Sequence, residues 1–373
     1  MRFTIDKENF LKAISAADHA IAAKNAIPLM ANLKIELDER GLEITGSNAD
    51  MTIRSTVPYR NGEKEIIRNA GLGATLINAH LLTEVVRRME GSEVSLEVID
   101  ESIAKLDDGR SSFKLNCVRA DEYPDIDLEL NGTLLELPCA DFVGLVEQSA
   151  FAASTKEQRP VLTALNLEAG NQQLVATATD SARLARKSIA IESEAKFRCN
   201  VPARIIGDVV RLFEEGQLLT LSVSDAKILF AFGNTVVSSR LVSGDYPVTS
   251  AIIPHTFNFY LEANSQELLN AMSRVSLLSS ERESVVKLSM REDEVEISAK
   301  SEASGSASEH LRIFSYTGER LNVSFNCLFV MDAIKALKAE YVTLCFQAEI
   351  KPFVEKNPKD ESVIELITPM RTY

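Results

Sequence analysis

Apolar residues recur at i, i+3, i+4 and i+7 in three stretches of this chain, and the three align without a gap. Ile77 opens INAHLLTEVVRRMEG, Val201 opens VPARIIGDVVRLFEE 124 residues later, and Phe325 opens FNCLFVMDAIKALKA after another 124. Leu82, Val85, Val86 and Met89 therefore correspond to Ile206, Val209, Val210 and Phe213, and to Val330, Ala333, Ile334 and Leu337. That spacing predicts a helix burying one face. A second helix is predicted earlier in each copy. Phe10, Leu11, Ile14 and Ala17 match Phe142, Val143, Val146 and Ser149, then Leu268, Leu269, Met272 and Val275.

Between the helices the period changes to two, the mark of half-buried strands. LKIELDERGLEITGSN (33–48), LNLEAGNQQLVATATD (165–180) and LSMREDEVEISAKS (288–301) read as three versions of one hairpin. Strand-like runs also follow each second helix, at 94–98, 218–223 and 342–346. The polar stretch SEASGSASEH (301–310) predicts a mobile hairpin loop. Two copies end alike, in DEYPDI and GDYPVTSAI. Domain boundaries follow near 127 and 250, giving domains 1–127, 128–250 and 251–373. The fold class is α+β: three similar domains, each with two helices packed on antiparallel sheet. The period is too long for a solenoid, whose repeats run to about 20–50 residues.

Composition adds compartment and partner. The five cysteines are an odd number, scattered, with no CxxC, which fits reduced, buried thiols. No apolar run approaches ~20 residues, and MRFTIDKENF lacks the layout of a secretory signal. A cytoplasmic protein is expected. A net charge of −14 argues against tight, non-specific nucleic-acid binding but leaves room for a local basic surface.

Signatures of chemistry are few. The four histidines, His19, His80, His255 and His310, have no metal-ligand spacing, and no cofactor is expected. Gly71-Leu-Gly73-Ala74 lacks the third glycine of a nucleotide loop and reads as a turn. No GxSxG is present and no Cys–His pairing is suggested.

Basic residues on the repeated helix carry more. Arg87, Arg211 and Lys335 are equivalent positions, Arg88 and Lys338 add charge nearby, and Arg204 precedes Arg211 by seven residues, hence on the same helical face. Two readings stand. Glu84, Asp208 and Asp332, each three residues upstream, can pair with them on a solvated face. Alternatively, these helices face a polyanion together. At about 9 Å between helices, six in a closed ring leave about 17 Å between opposing axes, which side chains fill. Twelve helices from two chains give a diameter of about 35 Å, enough for a duplex. An encircling ring therefore needs a dimer.

Over its full length the chain resembles the beta-subunit family of bacterial DNA polymerase III, the sliding clamps. The marks are Ala178-Thr179-Asp180-Ser181-Ala182-Arg183-Leu184, Arg240-Leu241-Val242-Ser243-Gly244-Asp245-Tyr246-Pro247 and the terminal Pro369-Met370-Arg371, in this order and spacing. The resemblance implies a DNA-clamp fold closed into a ring as a head-to-tail homodimer, and a non-catalytic function tethering the replicative polymerase to encircled duplex DNA. Acidity fits that role, because strong phosphate contacts would brake sliding. It further implies that the polymerase, the clamp loader and other proteins insert short hydrophobic peptides into a pocket. By motif the pocket involves Leu162, Thr179, Ser181, Ala182, Arg183, Leu184, Pro247, Ile252, Leu366, Thr368, Pro369, Met370 and Arg371, with Asn326 and Phe329 at its edge. Without the resemblance, Thr179–Leu184 reads as a polar turn capped by Asp180, and the tail as disorder. Ala182 stands where the family commonly has His, and Ala251 where it often has a basic residue, so a different peptide preference is expected at the polar edge. For the dimer the resemblance sets Phe113 and Leu115 against Leu277 and Leu278, with core packing the alternative for each. For DNA it favours Lys24, Arg87, Arg204, Arg211 and Lys338, with Arg159 near the rim.

Two other classes compete: an enzyme on a triplicated scaffold, which would need clustered catalytic groups, and a clamp-like scaffold that binds partners without encircling DNA. Retention on circular against linear DNA separates the latter from a clamp.

Overall fold

The computed structural model describes residues 1–22, 27–48, 50–279, 284–292 and 294–371. Its six α-helices, among the described residues, are α1 (Lys7–Asp18), α2 (Ala79–Arg88), α3 (Cys139–Glu147), α4 (Ala203–Val210), α5 (Ser265–Ser276) and α6 (Cys327–Leu337). Each begins directly after a strand, so the repeat unit is strand-then-helix used twice per copy. The start signal is chemical. Asp6, Asn78, Asn264 and Asn326 cap α1, α2, α5 and α6 by accepting from backbone N–H groups of the first turn. In the middle copy Pro138 and Pro202 stand before the first helical residue, where a fixed φ and a missing donor suit a helix start.

The predicted apolar stripes are the buried faces. Phe10, Ile14, Ala17, Phe142, Val146, Leu268, Met272 and Val275 are buried, as are Leu82, Val86, Ile206, Val209, Val330, Ala333, Ile334 and Leu337. The stripe in α4 outruns its helix. Past Val210 the chain tightens, with Leu212 and Phe213 donating to carbonyls three residues back. Arg211 therefore lies beyond the helix end, and a shared helical face with Arg204 does not hold.

All three predicted hairpins form, pairing Asn32–Leu37 with Gly41–Ser47, Ala164–Gly170 with Gln173–Thr179, and Val285–Arg291 with Glu294–Ser301. In the second, Asn171 and Gln172 both take positive φ (50° and 57°), the geometry of a tight two-residue hairpin turn. The predicted loop at 301–310 is corrected: Gly305–His310 is a strand paired with Glu294–Ser301, and only 302–304 turn. Alternation of small polar residues satisfies a ladder at a sheet edge without an apolar side. Gly71–Ala74 joins strands Ile67–Gly71 and Gly73–Asn78, and at Gly73 (φ 147°) a Cβ would press on Met1.

The chain divides into two compact units, Met1–Ala140 with Asp208–Leu241, and Asp141–Gly207 with Val242–Tyr373. In the first unit a 13-stranded antiparallel sheet runs across the junction of the first two predicted domains, where Thr235–Arg240 pairs with Met51–Pro58. In the second a nine-stranded sheet does the same, where Arg183–Ala190 pairs with Asp360–Ile367. A four-stranded sheet completes the second unit, and α5 and α6 pack between it and the last strands over a core including Met272, Phe325, Phe346 and Phe353. All five cysteines are free and buried. Among the described residues no helix is long and apolar enough to cross a membrane, and no group of His, Cys, Asp and Glu is arranged to hold a metal.

Candidate functional site

Strand pairing in the second unit fixes the site. The turn at 180–182 leads into the strand that starts at Arg183, and Arg183 lies opposite Ile367. The tail therefore emerges from its strand beside that turn. Thr368 N–H donates to the Ala182 carbonyl at 2.9 Å, and Met370 N–H to the Ser324 carbonyl at 2.7 Å. The tail is thus tied by backbone at Thr368 and at Met370.

The turn is held just as tightly. Asp180 Oδ1 accepts from Ala182 N (2.9 Å) and Arg183 N (3.0 Å), the cap expected of it. Thr179 Oγ1 donates to the Arg183 carbonyl and accepts from Ser181 N, and Thr179 N–H donates to the hydroxyl of Tyr246 at 3.0 Å. These bonds hold Ser181 at φ 80°, a left-handed conformation that a serine adopts only under such constraint. Burial pushes the Tyr246 phenol up to about 12, so it stays a neutral acceptor.

Across from the turn stands the start of α6. Asn326 Oδ1 accepts from Leu328 N (2.9 Å) and Phe329 N (3.2 Å), which commits its oxygen to the cap. Ser181, Ala182, Asn326, Phe329, Thr368, Pro369 and Met370 line an open cleft of about 310 Å³. Beneath, Leu184 and Leu366 are buried with Ile253 and Val354 in a small separate apolar cluster. Leu162 and Thr179 are buried, while Pro247, Ile252 and Arg371 are exposed.

Arg183 is the hub, with only 13% of its side chain exposed. Its Nε meets Asp180 Oδ2 at 3.1 Å and its Nη1 meets Asp332 Oδ2 at 2.9 Å. Its guanidinium carbon lies 4.5 Å from the Phe329 ring centre and 5.4 Å from that of Phe151. Two carboxylates at the edge and two aromatic faces are what a planar, delocalised cation accepts.

Phe151, Asp180 and Asp332 are absent from the residues expected at the pocket. Asp332 belongs to the triplicated acid position, and in the structure it departs from the pattern of the other two. Glu84 pairs with Arg87 and Arg88 (2.9 Å to the latter), and Asp208 pairs with Arg211 at 3.0 Å, each on its own helix or just past its end. Asp332 turns instead to Arg183, and Lys335 is exposed.

The basic residues expected at DNA are surface groups. Arg87, Arg88, Arg204, Arg211, Lys335 and Lys338 are all exposed. Lys338 ends α6 in a left-handed conformation (φ 49°) and pairs with Glu147. Arg159, expected near the rim, reaches Ser181 Oγ at 3.4 Å, at the cleft. Lys24 lies outside the described residues. Of the dimer residues, Leu277 is 79% exposed, Phe113 37% and Leu278 half-buried, whereas Leu115, at 7%, belongs to the core of the first copy. Core packing is the reading that holds for Leu115.

Three family profiles match the chain in order: the DNA polymerase III beta subunit N-terminal domain at residues 1–127, the central domain at 136–248 and the C-terminal domain at 250–371. The chain belongs to the DNA polymerase III beta subunit family. The beta sliding clamp of Bacillus subtilis (strain 168) is 32% identical over 378 residues, covering all of both chains. The crystal structure of the Bacillus subtilis sliding clamp superposes with a TM-score of 0.96 at 31% identity, again covering both chains fully. That of the Streptococcus pneumoniae DNA polymerase III beta chain gives 0.95 at 31% over the same extent. Three clamp domains of helices and antiparallel sheet, and the function of a DNA sliding clamp for DNA polymerase III, follow from membership. As a beta subunit it is an accessory, non-catalytic component, which removes the enzyme alternative.

Proposed function

We propose that two copies of the chain, each of domains 1–127, 128–250 and 251–373, close head to tail around duplex DNA, with Phe113, Leu277 and Leu278 at the junctions. Arg87, Arg88, Arg204, Arg211, Lys335 and Lys338 face the duplex and hold it loosely, so the ring slides. The cleft at Ser181, Ala182, Asn326, Phe329, Thr368, Pro369 and Met370 takes a short hydrophobic peptide of the polymerase, the clamp loader or another replication or repair protein. Arg159 and Arg371 flank it. Such a protein works in the cytoplasm.

One observation carries the reading. A basic position repeated in all three copies stays exposed in all three, on a chain whose net charge is −14. At Arg87 and Arg211 an acidic partner weakens the phosphate contact without removing the local positive surface, as a sliding contact requires.

The test is topological. After loading by a clamp loader, a dimer by mass should stay on nicked circular DNA and be lost when the circle is linearised. A monomer in solution, or equal retention on both forms, would leave the non-encircling scaffold in its place.

A further inference from the structure

We propose that Asp332 is a positioning residue for the peptide cleft, acting through Arg183 as a latch between α6 and the turn at 179–184. This rests on the peptide-binding reading of that cleft. Asp332 and Phe329 are three residues apart on α6, hence on one face. Together they grip one guanidinium, the ring over its face and the carboxylate at its edge. That guanidinium belongs to the strand that begins at the cleft's opposite wall, and Asp180 of the turn holds its Nε. The two walls are 149 residues apart in sequence. Backbone hydrogen bonds tie the tail to each wall, from Thr368 to Ala182 and from Met370 to Ser324. The Arg183–Asp332 pair joins wall to wall directly. Neither residue is among those lining the cleft, so Asp332 sets the width and rigidity of the cleft while touching no peptide itself.

An ordinary surface ion pair would add little, because solvent screens it. This one differs in that Arg183 is largely shielded and its other contacts are fixed. Loss of the Asp332 charge frees Arg183 to follow Asp180 alone and lets the Phe329 ring move.

The test uses the full-length chain and a fluorescein-labelled hexapeptide bearing leucine and phenylalanine side chains, read by anisotropy and by dissociation rate. Asp332→Asn is expected to weaken binding roughly tenfold, mainly through faster release. Asp332→Glu, which keeps the charge, should recover most of the loss. In an Arg183→Met background Asp332→Asn should change affinity less than about twofold, because the latch is already open. Met370→Ala is the control for the cleft. If it leaves affinity unchanged, the peptide site is elsewhere and the underlying reading fails. If Met370→Ala weakens binding while Asp332→Asn does not, or if Asp332→Asn acts equally in the Arg183→Met background, the latch alone is overturned. Unchanged mass and circular dichroism separate any of these from misfolding.

Discussion

Glu84 and Asp332 occupy one position in two copies of one helix, and they do different work. Glu84 holds Arg87 and Arg88 on its own helix, among exposed groups. Asp332 ignores Lys335 and reaches a shielded arginine that starts a strand of the neighbouring copy. The same local pattern thus gives a solvated ion pair in one place and a bond across a cleft in another. What differs is whether an arginine with two aromatic neighbours lies within reach. A third environment sharpens the contrast. Glu355 and Glu365 lie directly opposite each other on adjacent strands, fully buried, with no hydrogen bond among the described residues to either Glu355 oxygen or to Glu365 Oε1. Burial, and for Glu365 also the neighbouring Glu355 carboxyl, raises both well above the ordinary glutamate value, which favours the protonated form.

The largest expected effect comes from that buried pair. A carboxyl whose folded value is raised keeps a proton that the unfolded chain has released. Its contribution to stability is fully present below the ordinary value of 4.5 and is lost as pH rises towards the raised value. Each retained proton tilts stability by up to about 1.4 kcal/mol per pH unit. Urea unfolding between pH 5 and 8 should therefore show declining stability in the natural chain. The Glu355→Gln, Glu365→Gln double variant should lack most of that slope. Equal slopes would show that the pair is ionised or solvated.

Arg183→Met ranks next. It strands Asp180 and Asp332 beside two aromatic rings, with an expected loss of about 3 kcal/mol in urea unfolding. A loss below about 1 kcal/mol would return Arg183 to the class of surface pairs. At the small end, Glu84→Ala should change stability by about 0.5 kcal/mol or less and leave peptide affinity as it was. A larger effect on either would erase the distinction between the two copies.

Much of the architecture was legible in the residues. Apolar spacing in three copies marked all six helices, because burial of one face is a local property repeated every 3.6 residues, although the stripes ran one or two residues past the ends of α2 and α3. Helix α4 ended early where a tighter turn took over at Leu212 and Phe213. Alternation marked the three hairpins for the same reason, and failed at 305–310, where an edge strand of Gly, Ser and Ala needs no apolar face. The cleft was legible only through resemblance, since Ser181, Phe329 and Met370 share no periodicity. Phe151 and Asp332 escaped even that, and Asp180 was legible only as the cap of its turn. Nothing local distinguishes Asp332 from Glu84, and Leu115 looked no different from an interface leucine until its neighbours closed over it.

The sequence by itself determined the triplication, the helix faces and the family, all of which rest on contacts between near neighbours or on ordered motifs. Only the tertiary structure decided which acid meets which base, which carboxyl loses its charge, and that the tail is tied down at Thr368 and Met370. Those outcomes depend on distances between strands that lie far apart in the chain, and on how much water the packing leaves around a charge.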